Sequence, residues 1–185
     1  EGTYTASAGL TRCASWSQCS VGHGMSSAGS DSADRQCEAC SVGSTYSNSV
    51  SGSACINVSP VCSPGTYSVA GPTVASDRVC VACPAGSFAA TAGLTGCAQW
   101  STCAVGYGMS MSGSVTADRQ CAACATGSTF SGSVSGEACS IVNAACAKGT
   151  YTTAAATATS DRTCSDCASG HFTASVGLDT CTPWS

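Results

Sequence analysis

The amino-acid sequence predicts a small disulfide-rich repeat protein, an elongated rod of stacked short β-hairpin and turn loops with little or no helix. Cysteine supplies 17 of the 185 residues, a density typical of extracellular disulfide scaffolds. Only 22 residues are Val, Leu, Ile or Phe, well below the roughly one in five at which an ordinary hydrophobic core becomes doubtful. An internal repeat runs through the chain. Cross-links must therefore supply the stability that so small a core cannot.

The repeat is long and regular. Residues 1–84 align with residues 85–168 without a gap and with about 47 identities, and residues 169–185 begin a third copy. Each copy contains two similar modules of about 42 residues. We therefore expect a partial first module, three complete modules and a partial last module, at residues 1–37, 38–80, 81–121, 122–164 and 165–185.

Eight cysteines share an opening motif, Cys-x-x-Gly, and the next cysteine along the chain is the closer. The openers are Cys19, Cys40, Cys62, Cys83, Cys103, Cys124, Cys146 and Cys167. The glycine of the motif predicts a turn with positive φ or a close backbone approach. The segments between opener and closer are rich in Ser, Thr, Gly and Val, which favours short hairpins.

The simplest connectivity joins each opener to its closer. It gives the pairs Cys19–Cys37, Cys40–Cys55, Cys62–Cys80, Cys83–Cys97, Cys103–Cys121, Cys124–Cys139, Cys146–Cys164 and Cys167–Cys181. Spacing does not prove connectivity, but eight repeats of one pattern favour local pairing. Cys13 is left over and matches the closer Cys97. We expect its partner either two positions before Glu1 or on another chain.

The residues from Cys80 to Cys121 carry a family pattern. They include Cys80-Val-Ala-Cys83-Pro-Ala-Gly86-Ser-Phe88, then Cys97-Ala-Gln-Trp100-Ser-Thr-Cys103, then Ala117-Asp118-Arg119-Gln120-Cys121. This pattern resembles the cysteine-rich modules of tumour necrosis factor receptor ectodomains, which have six cysteines paired one–two, three–five and four–six. Trp100 stands in the place of the third cysteine and Gly113 near that of the fifth. The resemblance implies stacked beads with one–two and four–six bridges, and no ligand-binding residue carries over.

Metal, redox, enzymatic and nucleic-acid functions are disfavoured, and we expect no cofactor. Successive Cys-x-x-Cys pairs lie about 40 residues apart, whereas zinc ribbons place them about 15–20 apart. His23 and His171 occupy unmatched repeat positions, so we expect packing roles for both. A pI of about 4.8 with six basic residues argues against nucleic acid. No apolar run reaches the roughly 18 residues of a membrane span.

Aromatic and charged residues recur with the repeat. Trp16, Trp100 and Trp184 occupy the same position in successive copies, and the aromatics after the opener glycines are Tyr4, Tyr46, Tyr67, Phe88, Phe130, Tyr151 and Phe172. We expect them to pack one bead on the next. In the four Asp-Arg pairs we expect each Asp to cap a turn and each Arg to stack on an aromatic ring or pair locally. Calcium at Asp31 and Asp34 is disfavoured, because Val115 replaces Asp31 in the copy.

The sequence favours a secreted or cell-surface structural protein without enzymatic activity. Gapless copies, small side chains and low charge suggest a rod segment of a filament, stalk or coat, whose partners are further copies of itself joined head to tail. Asn57-Val58-Ser59 is a glycosylation sequon, so glycans are also expected. The alternative is a receptor-like ectodomain that binds a protein ligand. Its loops would diverge between modules, and residues 62–80 form the most irregular loop.

Overall fold

The structure is a computed structural model that describes residues 2–185. Within that range it contains no helix and 18 short strands arranged as nine two-stranded sheets, which confirms the predicted disulfide-rich hairpin fold. Ten strands have two residues each: β1 (Thr3–Tyr4), β2 (Ala14–Ser15), β5 (Thr45–Tyr46), β6 (Ile56–Asn57), β9 (Ser87–Phe88), β10 (Ala98–Gln99), β13 (Thr129–Phe130), β14 (Ser140–Ile141), β17 (His171–Phe172) and β18 (Thr182–Pro183). The other eight form four longer hairpins.

The four long hairpins share one geometry. Their strands are β3 (His23–Ser27) with β4 (Gln36–Ala39), β7 (Thr66–Ala70) with β8 (Val79–Ala82), β11 (Tyr107–Met111) with β12 (Gln120–Ala123), and β15 (Thr150–Ala154) with β16 (Thr163–Asp166). In the first hairpin Met25 faces Cys37 and Ser27 faces Gln36, which leaves Ser26 as a bulge. The same register shift recurs in the other three. A bulge increases the local twist of a hairpin.

Eight disulfides close the hairpins. They join Cys19 to Cys37, Cys40 to Cys55, Cys62 to Cys80, Cys83 to Cys97, Cys103 to Cys121, Cys124 to Cys139, Cys146 to Cys164 and Cys167 to Cys181. Cys13 is free and exposed. Cys19 and Cys103 are each only 1% exposed. The buried interior is therefore made largely of sulfur, as expected for a chain with few large apolar residues.

The opener glycines adopt the left-handed conformation. Their φ angles are 81° at Gly22, 79° at Gly43, 82° at Gly65, 86° at Gly86, 80° at Gly106, 82° at Gly127, 84° at Gly149 and 82° at Gly170. The predicted positive φ is confirmed at all eight positions. A side chain in this conformation would crowd the following carbonyl, so the turn after each opener requires glycine.

The chain divides into two compact units. The first comprises Glu1–Ala85 and Ala89–Ala98, and the second comprises Gly86–Phe88 and Gln99–Ser185. Within the first unit Ser47 links two long hairpins, because its carbonyl accepts from Gly22 over 2.8 Å and its N–H donates to Val74 over 2.9 Å. Within the second unit, Ser131 makes the same pair of bonds with Gly106 and Ala158. Each of these short loops is thus hydrogen-bonded to hairpins on both sides.

One expectation about packing is wrong, and that for the aromatics stays a prediction. His23 and His171 are exposed; in β3 the inward position belongs to the adjacent Gly24, which is buried against Cys55. Of the recurring aromatics, Phe172 is exposed and the other six are half-buried. The interior is built from cysteine and small residues, so the aromatic rings cover it rather than fill it.

No helix within residues 2–185 has the length and apolar character that crossing a bilayer requires. The same residues contain no group of three or more His, Cys, Asp or Glu side chains arranged to hold a metal ion.

Candidate functional site

Trp16 is fixed between two turns of the chain. Its backbone N–H donates to the carbonyl of Gly2 over 3.0 Å, and its indole Nε1–H donates to the carbonyl of Ser30 over 3.1 Å. The ring lies directly on Gly29, where an added Cβ would stand 2.5 Å from Cε2. Only glycine leaves room for the indole at that distance.

The same arrangement recurs in the second copy. The Nε1–H of Trp100 donates to the carbonyl of Ser114 over 3.0 Å. The ring lies on Gly113, where an added Cβ would again stand 2.5 Å from Cε2. Trp100 and Gly113 fall at or near the positions of the third and fifth cysteines in the resembled six-cysteine modules. A non-covalent aromatic–glycine contact therefore lies where those modules have a disulfide.

An arginine also stacks on each of these two tryptophans. The Cζ atom of Arg35 lies 5.6 Å from the centroid of Trp16, and that of Arg119 lies 5.5 Å from the centroid of Trp100. The predicted stacking of arginine on an aromatic ring is confirmed at these two sites. The guanidinium of Arg35 also lies so close to Gly52 that a Cβ there would overlap it. This glycine contact, repeated at Gly136, was not predicted; its only signal was the repeat.

The Nε–H of Arg35 has no hydrogen-bond acceptor among residues 2–185. It is buried, and the same is true of Arg119 and Arg162. Arg78 differs, because its Nε–H donates to the carbonyl of Ser59 over 3.3 Å. In the hairpins of Arg78 and Arg162 no tryptophan precedes the opening cysteine. Within the described part of the chain, therefore, only Arg35 and Arg119 both stack on a tryptophan and have an Nε–H without an acceptor.

Asp34, next to Arg35 in the sequence, is hydrogen-bonded to Ser17. Asp34 accepts hydrogen bonds from the backbone N–H of Ser17 over 2.7 Å, from the Ser17 hydroxyl, and from the backbone N–H of Arg35 over 2.8 Å. These bonds, above all the one from the Ser17 hydroxyl, lower the pKa of Asp34 below its ordinary value. Asp34 therefore ties the segment after Trp16 to the hairpin, rather than only capping its own turn.

A cleft of about 390 Å³ opens beside the first tryptophan. Its walls are Gly2, Ser15, Trp16, Gln18, Arg35, Gly52 and Ser53. It combines one aromatic ring, one cationic group and several polar side chains. This composition suits a small anionic or polar group better than an apolar one.

The family comparison fits these observations. Residues 1–37 match the model of the TNFR/NGFR cysteine-rich region. The predicted resemblance is thereby confirmed, with residues 1–37 as the matched TNFR-like cysteine-rich region.

The solved structures similar to the chain include two complexes. A chain of the human RANKL/OPG complex is 22% identical, with a TM-score of 0.40, 89% of the present chain covered and 97% of the other. A chain of the mouse RANKL–OPG complex is 23% identical, with a TM-score of 0.35 and coverages of 75% and 98%. No curated protein matches the chain.

The expectation that the chain's partners are further copies of itself is wrong. The human and mouse structures are each complexes between two different proteins, RANKL and OPG. The gapless repeat that suggested self-assembly has a cause inside the chain. Within each compact unit, hydrogen bonds such as those of Ser47 to Gly22 and Val74 fit a short loop to the hairpins on either side, and this fixes the spacing of neighbouring modules in that unit.

Proposed function

We propose that the chain is a receptor-like ectodomain without enzymatic activity, whose cysteine-rich modules bind a protein ligand. The observation that carries the proposal is the match of residues 1–37 to the TNFR/NGFR cysteine-rich region. A secreted or cell-surface location belongs to the proposal, because disulfides in such number persist only in an oxidising compartment.

Differences between the two copies support a recognition role. Residues that hold the fold recur, such as Trp16 and Trp100. In contrast, Ile141 is 82% exposed, while the equivalent residue in the first copy is Asn57. The fold does not require an apolar side chain at this position, so Ile141 is available for a partner. It lies next to a covalently closed loop, and a rigid surface loses little conformational entropy on binding.

The test is surface plasmon resonance with the immobilised, oxidised chain and a panel of purified extracellular proteins that includes RANKL. We expect saturable binding of at least one protein, and at least a hundredfold loss after reduction and alkylation. I141D is expected to weaken that binding about tenfold. V105D is the matched control, since Val105 is also exposed but recurs as Val21. Saturable binding that survives reduction, or no binding by any panel member, contradicts the proposal.

A further inference from the structure

We propose that the cleft between Trp16 and Arg35 binds a carboxylate, presented by a Glu or Asp side chain on the surface of the protein ligand. The identity of that ligand as a protein rests on the proposed function. The cleft itself is argued from three features: the state of the guanidinium, the polar lining, and one substitution between the two copies.

The Arg35 guanidinium is preorganised to bind an anion. Its Cζ atom lies 5.6 Å from the Trp16 centroid, and Gly52 lies so close that an added Cβ there would overlap the guanidinium. The nearest acid in sequence, Asp34, is already bonded to Ser17. Stacking fixes the orientation of the guanidinium, so that little side-chain entropy remains to be lost when a carboxylate binds across two parallel N–H donors.

The remaining lining suits the same ligand. Ser15 and Ser53 line the cleft, and each carries a hydroxyl that can donate a hydrogen bond to a carboxylate oxygen. No carboxylate belongs to the lining formed by the described residues. At about 390 Å³ the cleft falls in the size range of small-molecule sites and can admit one acidic side chain.

The second copy differs at the position that matters most for an anion. Ser53 of the first copy is replaced by Glu137 of the second. The backbone is the same at both places, because the N–H of Met25 donates to the carbonyl of Ser53 over 2.8 Å and that of Met109 donates to Glu137 over 2.8 Å. The second copy thus has an acidic residue at the position equivalent to Ser53, and its negative charge repels an incoming carboxylate. The first site therefore accepts an anion more readily than the second.

The experiment is an NMR titration of the full, oxidised, ¹⁵N-labelled chain with the capped pentapeptide acetyl-Gly-Gly-Glu-Gly-Gly-amide. The same peptide with Gln in place of Glu is the matched control. We expect the Arg35 Nε–H and Trp16 indole N–H signals to shift saturably with the Glu peptide and at least fivefold less with the Gln peptide. The corresponding signals of Arg119 and Trp100 are expected to shift at least fivefold less than those of the first site.

Three variants test which residues cause the response to the Glu peptide. S53E is expected to weaken Glu-peptide binding at the first site about tenfold, and E137S to create a comparable response at Arg119. R35K keeps the charge but loses the planar fork, and is expected to lose the response. An equal response to both peptides, or full binding by R35K, overturns the carboxylate site. If the carboxylate site fails this test but a protein still binds the immobilised chain, the proposed function stands. If the Glu peptide binds but no protein does, only the proposed function is overturned.

Discussion

The indole ring of Trp100 lies flat against Gly113, so close that a single added methyl carbon would stand 2.5 Å from the ring. Trp16 and Gly29 make the same contact in the first copy. In the resembled six-cysteine modules a disulfide joins the corresponding positions. The present chain therefore holds these hairpins with one covalent bridge and one packed aromatic–glycine contact.

The aromatic–glycine contact predicts the effect of one methyl group. G113A should lower the free energy of unfolding by about 1–3 kcal/mol, because the new Cβ forces the Trp100 ring away from the turn. Urea unfolding with the disulfides intact, followed by tryptophan fluorescence, measures the change. G71A is the control: a Cβ at Gly71 meets nothing within 4 Å, so its effect should stay within about 0.5 kcal/mol. Equal stabilities of the two variants would refute the contact.

The left-handed turn after each opener predicts that replacing its glycine by alanine lowers stability. Gly127 has a φ of 82°, and an added Cβ there would meet nothing within 4 Å. G127A therefore isolates backbone strain from steric overlap and should destabilise the chain by about 1–2 kcal/mol. G96A serves as the control in the same urea assay, because Gly96 has open space and no positive φ. A G127A variant as stable as G96A would mean that the turn does not need glycine.

The serine–aspartate contacts predict how stability depends on pH. The hydroxyl of Ser101 and its backbone N–H lower the pKa of Asp118 below its ordinary 3.8. A depressed folded-state pKa stabilises the fold above the unfolded-state pKa, and this contribution disappears as pH falls through the folded-state value. S101A should raise the pKa of Asp118 towards its unfolded-state value, so that the carboxylate contributes less stability at neutral pH and less stability is lost on acidification.

Carbon-13 NMR of the Asp118 carboxyl and thermal melts from neutral to strongly acidic pH provide the two measurements. S110A is the control, since the Ser110 hydroxyl donates to the backbone carbonyl of Gln120 over 3.2 Å and not to a carboxylate. An unchanged Asp118 titration in S101A would show that the hydroxyl does not set the pKa.

The sequon at Asn57 predicts a modification that only the first copy carries. Asn57 is exposed at the end of β6, and residue 141 of the second copy is Ile. We propose that secretion from a eukaryotic cell adds one N-linked glycan at Asn57. Intact mass before and after glycosidase treatment should differ by one glycan in the wild type and by nothing in N57Q. A glycan mass that persists in N57Q would place the sugar elsewhere.

Much of the fold could be predicted from the sequence because its determinants are periodic. Short hairpins without helix follow from the regular Cys-x-x-Gly spacing, and the positive φ of the opener glycines follows from the residue type. Stacking on an aromatic ring was one of the two roles predicted for each arginine of the Asp-Arg pairs, and Arg35 adopts it.

The remaining features depend on contacts between residues distant in sequence. Ser17 and Asp34 lie on different segments of the chain, and nothing in their local sequence pairs them. Gly52 reaches Arg35 from the following loop, which only the folded chain reveals. His23 aligns with Tyr107 in the second copy, which favours a packing role, but the buried position belongs to the neighbouring Gly24.

The most direct test of the account is a disulfide map of the native chain, obtained by proteolysis without reduction and mass spectrometry of the linked peptides. The account predicts that every bridge joins an opener to the next closer, as in Cys103–Cys121, and that Trp100 and Gly113 lie in a module with no third bridge. Linked peptides in which a bridge passes over an intervening cysteine, or free thiols at the opener positions, would contradict it.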